Sequence, residues 1–294
     1  LVYHGLGSGK TCSAIAAAEA LFSVANKRII VMTPFSLRPN FINELMFCGF
    51  RHFSTNNFWI KQKISKTSIQ IFAVNVMGIP AKKAALGMEF WIPDFTQPPN
   101  FNTLTDVERT EIREQIKSVI ENRIEFISYN GVTARTLKEW ACAGGHFDNA
   151  VIVIDEVHNL TRLMQGTIVP YLFERKKGGR RKIKAEPVIP GPWSPRLCSR
   201  NDVNYARGYM LYRMLVSAQN SKIIGLSGTP IINFPEELGI LMNILGGYID
   251  CIDFISGIVD DESMKKLQAI ADADRRIDLL HFSSDRTKVT LSIL

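Results

Sequence analysis

The chain has 294 residues, 46% of them hydrophobic, enough for one large core or two small ones. Its formal charge of +7 favours a polyanionic partner. No apolar run reaches the roughly 18 residues a membrane-spanning helix needs and no signal-peptide pattern precedes the first element, so the expectation is an intracellular protein with no membrane partner. The five cysteines (Cys12, Cys48, Cys142, Cys198, Cys251) are scattered without a C-x-x-C pair, and they read as separate thiols, not as a disulfide framework or a zinc site.

The first element is Gly5-Leu6-Gly7-Ser8-Gly9-Lys10-Thr11, a glycine-rich turn that opens an Ala-rich helical run over 11–26. Gly5, Gly7 and Gly9 let the backbone curl with its N–H groups inward, and with Ser8 they form a phosphate cradle. Lys10 supplies a flexible cation to the β/γ-phosphates, and the Thr11 hydroxyl is placed to ligate Mg²⁺. His4 stands where this loop pattern begins with Gly or Ala. Because the turn follows a starting Leu so closely, the sequence reads as a fragment of a longer nucleotide-using protein.

Downstream, short apolar segments predict strands at 28–32, 68–74, 124–128, 150–154 and 222–226. Helical patterns fall at 37–48, 105–122, 133–142, 204–219 and 235–245. Several strands are apolar throughout, as expected when helices cover both faces of a parallel sheet. The alternation predicts a doubly wound α/β fold, with its ligand site at the carboxyl ends of the strands. Residues 77–104, with four prolines, read as an irregular excursion. Residues 165–202 read as a second insertion, whose basic run Arg175-Lys176-Lys177-Gly178-Gly179-Arg180-Arg181-Lys182-Ile183-Lys184 fits a mobile solvated loop, a nucleic-acid contact or a nuclear localisation signal.

Val151-Ile152-Val153-Ile154-Asp155-Glu156-Val157-His158 sets two acids at the end of a buried strand. In phosphate-loop enzymes the acid at that place holds Mg²⁺ and a neighbouring carboxylate polarises the attacking water, which suits Asp155 and Glu156 in turn. The alternative is two acids stabilised by the dipole of the following helix. His158 has no partner at metal-ligand spacing and is assigned to coupling.

Gly7-Ser8-Gly9-Lys10-Thr11, Asp155-Glu156-Val157-His158 and Ser227-Gly228-Thr229-Pro230 resemble motifs I, II and III of superfamily 2 helicases and translocases. The segment Pro34 to Phe41 with Glu44 is similar to motif Ia of the Swi/Snf type, and Ile127-Ser128-Tyr129-Asn130 stands where motif Ib would be. The wording around residues 3–11 and 126–130 most resembles the helicase-like ATPases of large nucleocytoplasmic DNA viruses, the early transcription factor and nucleoside triphosphatase I group.

The resemblance spans about residues 1–245. It implies a first RecA-like P-loop lobe at 1–249, with 250–294 starting the connection to a missing second lobe that carries arginine fingers. It further implies ATP and Mg²⁺ as cofactors, DNA or RNA as the track, RNA polymerase as a partner, and the virion and host cytoplasm as location. Lys10 and Glu156 would be catalytic and Thr11 and Asp155 would hold the metal. His158, Ser227 and Thr229 would couple nucleotide state to lobe movement, while Thr33, Arg38, Asn40, Ser128 and Tyr129 would line the nucleic-acid path. For Arg38 a plain surface residue, and for Tyr129 core packing, are equal alternatives. The rival functions are a non-catalytic basic nucleic-acid or polymerase-docking module, and an RNA helicase. A P-loop kinase or small GTPase-like switch would need an acceptor site or base-specifying motif that the sequence does not display.

Overall fold

The computed structural model describes residues 2, 9–63, 67–77, 79, 81–86, 89–175, 181–183, 198, 206–229, 236–247, 250–255, 257–274 and 276–293. The chain divides into two compact units, Leu1–Leu245 and Gly246–Leu294. No helix among the described residues is long and apolar enough to cross a membrane.

The first unit begins with α1 (Lys10–Ala25), β1 (Arg28–Met32), α2 (Arg38–Cys48) and β2 (Phe58–Lys63). Next come α3 (Thr67–Asn75), α4 (Ala81–Ala85), β3 (Glu89–Asp94), α5 (Asp106–Arg123) and β4 (Ile124–Ile127). Then follow α6 (Ala134–Ala143), β5 (Ala150–Ile154), α7 (Val157–Leu172), β6 (Phe173–Arg175) and β7 (Arg181–Ile183). Last are α8 (Arg207–Val216), β8 (Lys222–Gly225) and α9 (Glu236–Gly246).

A four-stranded sheet of order β4-β1-β5-β8 forms the centre, and every pairing in it is parallel. The protein is thus α/β, with an all-parallel sheet flanked by helices. The period-2 geometry of a strand splits each apolar run between two cores. Ile29, Val31, Val151 and Val153 join the core made with α1, α2 and α5, whereas Ile30, Met32, Ile152 and Ile154 join the one made with α6 to α9. Each such fully buried aliphatic side chain contributes about 1.5–3 kcal/mol. At the described edge of the sheet, Ile223 and Ile224 of β8 are only half-buried.

Local signals explain the element ends. Thr105 and Glu108 form a reciprocal capping box that starts α5, worth about 1 kcal/mol as N-caps go. Thr133 caps α6 by accepting the Thr136 N–H at 3.1 Å.

Four expectations need correction. Residues 68–74 are helical, within α3, because Ile69, Phe72 and Ala73 at i, i+3 and i+4 share one face packed on the first core. The stretch 77–104 contains β3, which pairs antiparallel with β2; Gln115 of α5 bonds the Trp91 N–H and C=O at 2.8 Å, completing its backbone bonding as a strand would. Within 165–202, α7 continues to Leu172 and β6 pairs antiparallel with β7, so that Arg175, Arg181, Lys182 and Ile183 of the basic run lie in paired strands. Lys176, Lys177, Arg180 and Lys184 lie outside the described residues. Finally, four cysteines are bonded, Cys12 to Cys48 and Cys142 to Cys198. Separations of 36 and 56 residues hid both pairs, because proximity depends on helix packing and not on spacing. Cysteine usage therefore gives no support to a reducing compartment.

The second unit holds β9 (Asp250–Ile255), α10 (Asp261–Ala273), β10 (Ile277–Phe282) and β11 (Lys288–Ile293). The strands form an antiparallel sheet of order β10-β11-β9, and Asp260 caps α10 by accepting the Ser263 N–H at 2.7 Å.

Candidate functional site

Of the glycine-rich turn, Gly5, Gly7 and Ser8 lie outside the described residues, and Gly9, Lys10 and Thr11 lie within them. Gly9 is the N-cap of α1 with φ of +88°, a left-handed conformation that a residue with a Cβ rarely adopts. Among the described residues no side chain caps α1, and its first turn has no acid. The first N–H groups of the helix, which have no intrahelical acceptor, are therefore offered outward together with the positive end of the dipole. Lys10 and Thr11 sit half-buried on that turn.

Backbone bonds carry the parallel ladder one residue past each strand end. The Thr33 N–H donates to Ile127 O at 3.1 Å, that of Asp155 to Met32 O at 2.8 Å, and that of Leu226 to Ile154 O at 2.8 Å. Thr33, Asp155 and the Ser227 turn are thereby fixed along one edge. The Thr33 hydroxyl donates to Asp155 Oδ2 at 3.3 Å, and the Glu156 N–H donates to Asp155 Oδ1 at 3.1 Å. Burial, and then the neighbouring Glu156 carboxylate, hold the Asp155 carboxyl above its usual range; these two hydrogen bonds and the Lys10 cation act against them.

Glu156 has φ of +48°, an uncommon conformation for a residue with a side chain, costing about 1–2 kcal/mol. It is held from behind. The Tyr129 hydroxyl donates to the carbonyls of Asp155 at 3.1 Å and Glu156 at 3.2 Å. Burial, followed by the charges of Asp155 and Glu156, pushes the Tyr129 phenol up, so it remains a donor.

His158 Nδ1 lies 2.9 Å from Ser227 Oγ and 3.3 Å from Glu156 Oε2. A carboxylate and a hydroxyl facing the same nitrogen favour the tautomer that carries its proton there. Ser227 Oγ also accepts the Thr229 N–H at 3.0 Å, so the three residues assigned to coupling form one hydrogen-bonded chain reaching Glu156. A Cβ built on Gly228 would stand 3.4 Å from Lys10 Nζ, which shows that the Lys10 side chain reaches this turn and that a glycine leaves it room. The continuation of the turn at Pro230 lies outside the described residues.

The residues expected along a nucleic-acid path divide. Arg38 pairs with Glu121 at 2.9 Å and stacks 4.9 Å over the Phe126 ring while remaining partly exposed, and Asn40 is exposed. Tyr129 is 0% exposed, and Thr33 is 1% exposed against Asp155. The Ser128 hydroxyl is buried with no partner among the described residues. In this arrangement Tyr129, Thr33 and the Ser128 hydroxyl are buried, Tyr129 as its core-packing alternative has it, and Tyr129 and Thr33 hydrogen-bond to the acid pair. Reading along the sequence missed this because it does not show which way a side chain turns after a strand end. It also missed Arg207, whose guanidinium donates to the carbonyls of Asn130 at 3.3 Å and Val132 at 3.1 Å, tying down the turn behind Tyr129.

Compared with known proteins, the chain matches no family model, no curated protein and no solved structure.

Proposed function

We propose that Leu1–Leu245 is a RecA-like ATP-binding lobe of the superfamily 2 type, part of an ATP-dependent DNA helicase or translocase with a role in viral transcription. The observation that supports it best is the meeting of segments far apart in sequence at one sheet edge. Lys10 reaches Gly228, Thr33 bonds Asp155, and His158 joins Glu156 to Ser227.

The α1 N-terminus and Lys10 bind the phosphates. A hard divalent cation fits the remaining donors, because Thr11 and Asp155 offer oxygen ligands and the Glu156 carboxylate stands next to Asp155. Magnesium bound there would neutralise charge on the phosphates. Glu156, whose carboxylate is partly exposed, orients the attacking water and accepts its proton, while Asp155 remains beside the metal. The His158–Ser227 link carries a change at Glu156 to the Ser227–Thr229 turn, through which nucleotide state would move a second lobe.

Titration with a fluorescent ATP analogue in Mg²⁺ buffer tests the phosphate site. Lys10→Ala should weaken binding at least about ten-fold, the equivalent of one charge-assisted hydrogen bond of about 1.5–3 kcal/mol. Equal affinity in both proteins would end the nucleotide reading.

A further inference from the structure

The helix α2 has two faces. Phe41, Ile42 and Leu45 are buried in the core shared with α1, whereas Asn43, Glu44 and Phe47 face out. Phe47 is 81% exposed. A lone exposed aromatic is ordinary, but this one borders a cavity. The cavity measures about 460 Å³ and is lined by Gly9, Lys10, Thr11, Cys12, Asn43, Glu44 and Phe47. That volume lies in the range of small-molecule sites.

The lining is of two chemical kinds. Gly9 to Thr11 present backbone N–H groups, a cation and a hydroxyl, which suit phosphate. From α2, Phe47 presents a ring, Asn43 an amide that donates and accepts, and Glu44 a carboxylate that accepts. The Cys12–Cys48 bond ties the end of α2 to the first turn of α1, so the two walls are held together covalently next to Phe47. With both sulfurs in that bond, Cys12, Cys48 and Glu44 supply no thiolate for a metal, and the cluster does not compete as a cation site.

We propose that this wall of α2 is the nucleoside subsite of the nucleotide site. The base stacks on the Phe47 ring, and Asn43 and Glu44 hydrogen-bond its polar edge or the ribose hydroxyls. The inference rests on the nucleotide reading above and adds which element recognises the nucleoside.

The test separates the two. Binding of ATP, and its displacement by inorganic tripolyphosphate, are measured for the parent chain and for Phe47→Ala, Phe47→Trp and Lys10→Ala, with thermal melts confirming that each is folded. Losing one base–aromatic stack should weaken ATP binding about ten-fold in Phe47→Ala and leave tripolyphosphate binding unchanged. Phe47→Trp should keep the affinity for ATP, and Lys10→Ala should weaken both ligands. If Phe47→Ala binds ATP as the parent does while Lys10→Ala does not, the subsite is refuted and the phosphate site stands. If Phe47→Ala weakens ATP and tripolyphosphate equally, the ring supports the wall without reading a base, which also overturns the proposal. If Lys10→Ala leaves both ligands unaffected, the nucleotide reading itself fails.

Discussion

Replacing Tyr129 with Phe removes one oxygen atom from a fully buried ring and leaves its packing in place. The loss falls on the acid pair. The Glu156 carbonyl keeps a second donor, the Asn159 N–H at 2.9 Å, so the uncompensated acceptor is chiefly the Asp155 carbonyl. Leaving one buried acceptor short of a partner costs about 1–3 kcal/mol, and the partial compensation places this substitution near the lower half, about 1–2 kcal/mol. Domains of 150–250 residues lose about 2–4 °C in Tm per kcal/mol, so thermal unfolding should shift down by about 2–8 °C. The variant should also hydrolyse ATP more slowly in a catalytically competent form of the protein, because the left-handed turn at Glu156 loses its anchor. Calorimetry and a phosphate-release assay give both numbers. An unchanged Tm together with weakened DNA binding would show that Tyr129 swings out to touch nucleic acid and that its buried placement is not the working one.

Glu156→Gln should bind ATP within about two-fold of the parent and hydrolyse it at least about 10²-fold more slowly, the usual minimum for removing a general base; equal losses in binding would make Glu156 a structural or metal-holding residue. Glu19, half-buried beside the Phe50 N–H and Arg123, has its carboxyl raised from 4.5 to about 7 chiefly by desolvation. The folded state holds that proton more tightly than the unfolded state, so its stabilising effect is complete below about pH 4.5 and is lost as pH rises to about 7. His52, 3.0 Å from an Arg123 nitrogen, is lowered from 6.5 to about 4 by burial and then by Arg123, so its contribution is lost in the opposite direction, as pH falls through that interval. A Tm series from pH 4 to pH 8 should show Glu19→Gln flattening only the first dependence; a parallel curve would place the titration elsewhere. Replacing Arg175, Lys176, Lys177, Arg180, Arg181, Lys182 and Lys184 with Ser should flatten the slope of log DNA affinity against log salt by about 0.7–0.9 for each phosphate these side chains neutralise, and an unchanged slope would make the run a solvated surface.

What could be read in advance follows from where the information resides. The runs Ile29-Ile30-Val31-Met32 and Ala150-Val151-Ile152-Val153-Ile154 identify central strands because a side chain must be apolar whichever face it meets, and five parallel register pairs join the two strands. The acids after β5 and the Ser-Gly-Thr after β8 could be placed at one edge for the same reason: parallel strands end on the same side. Residues 68–74 read as a strand and form a helix. Ile, Phe and Val there suit a strand, yet their spacing also fits a helix face, and packing on the first core decided the matter. The detail of the candidate site was less legible still. Nothing about Glu marks a left-handed backbone, since the conformation is imposed by the ladder bond at Asp155 and the phenol behind it. Thr33 reads as a ligand contact because it follows a strand end, where ligands gather, and Tyr129 as either such a contact or core packing. Both hydrogen-bond to Asp155 or the backbone beside it, so the sheet edge has a buried layer behind the acids. Phe47 shows the converse limit. It falls three and four residues from Glu44 and Asn43, a spacing that defines a shared face, but only the packing of α2 on α1 reveals that this face borders Lys10 and Thr11. Sequence periodicity therefore locates elements and edges, and the identity of a site wall depends on which helices cross.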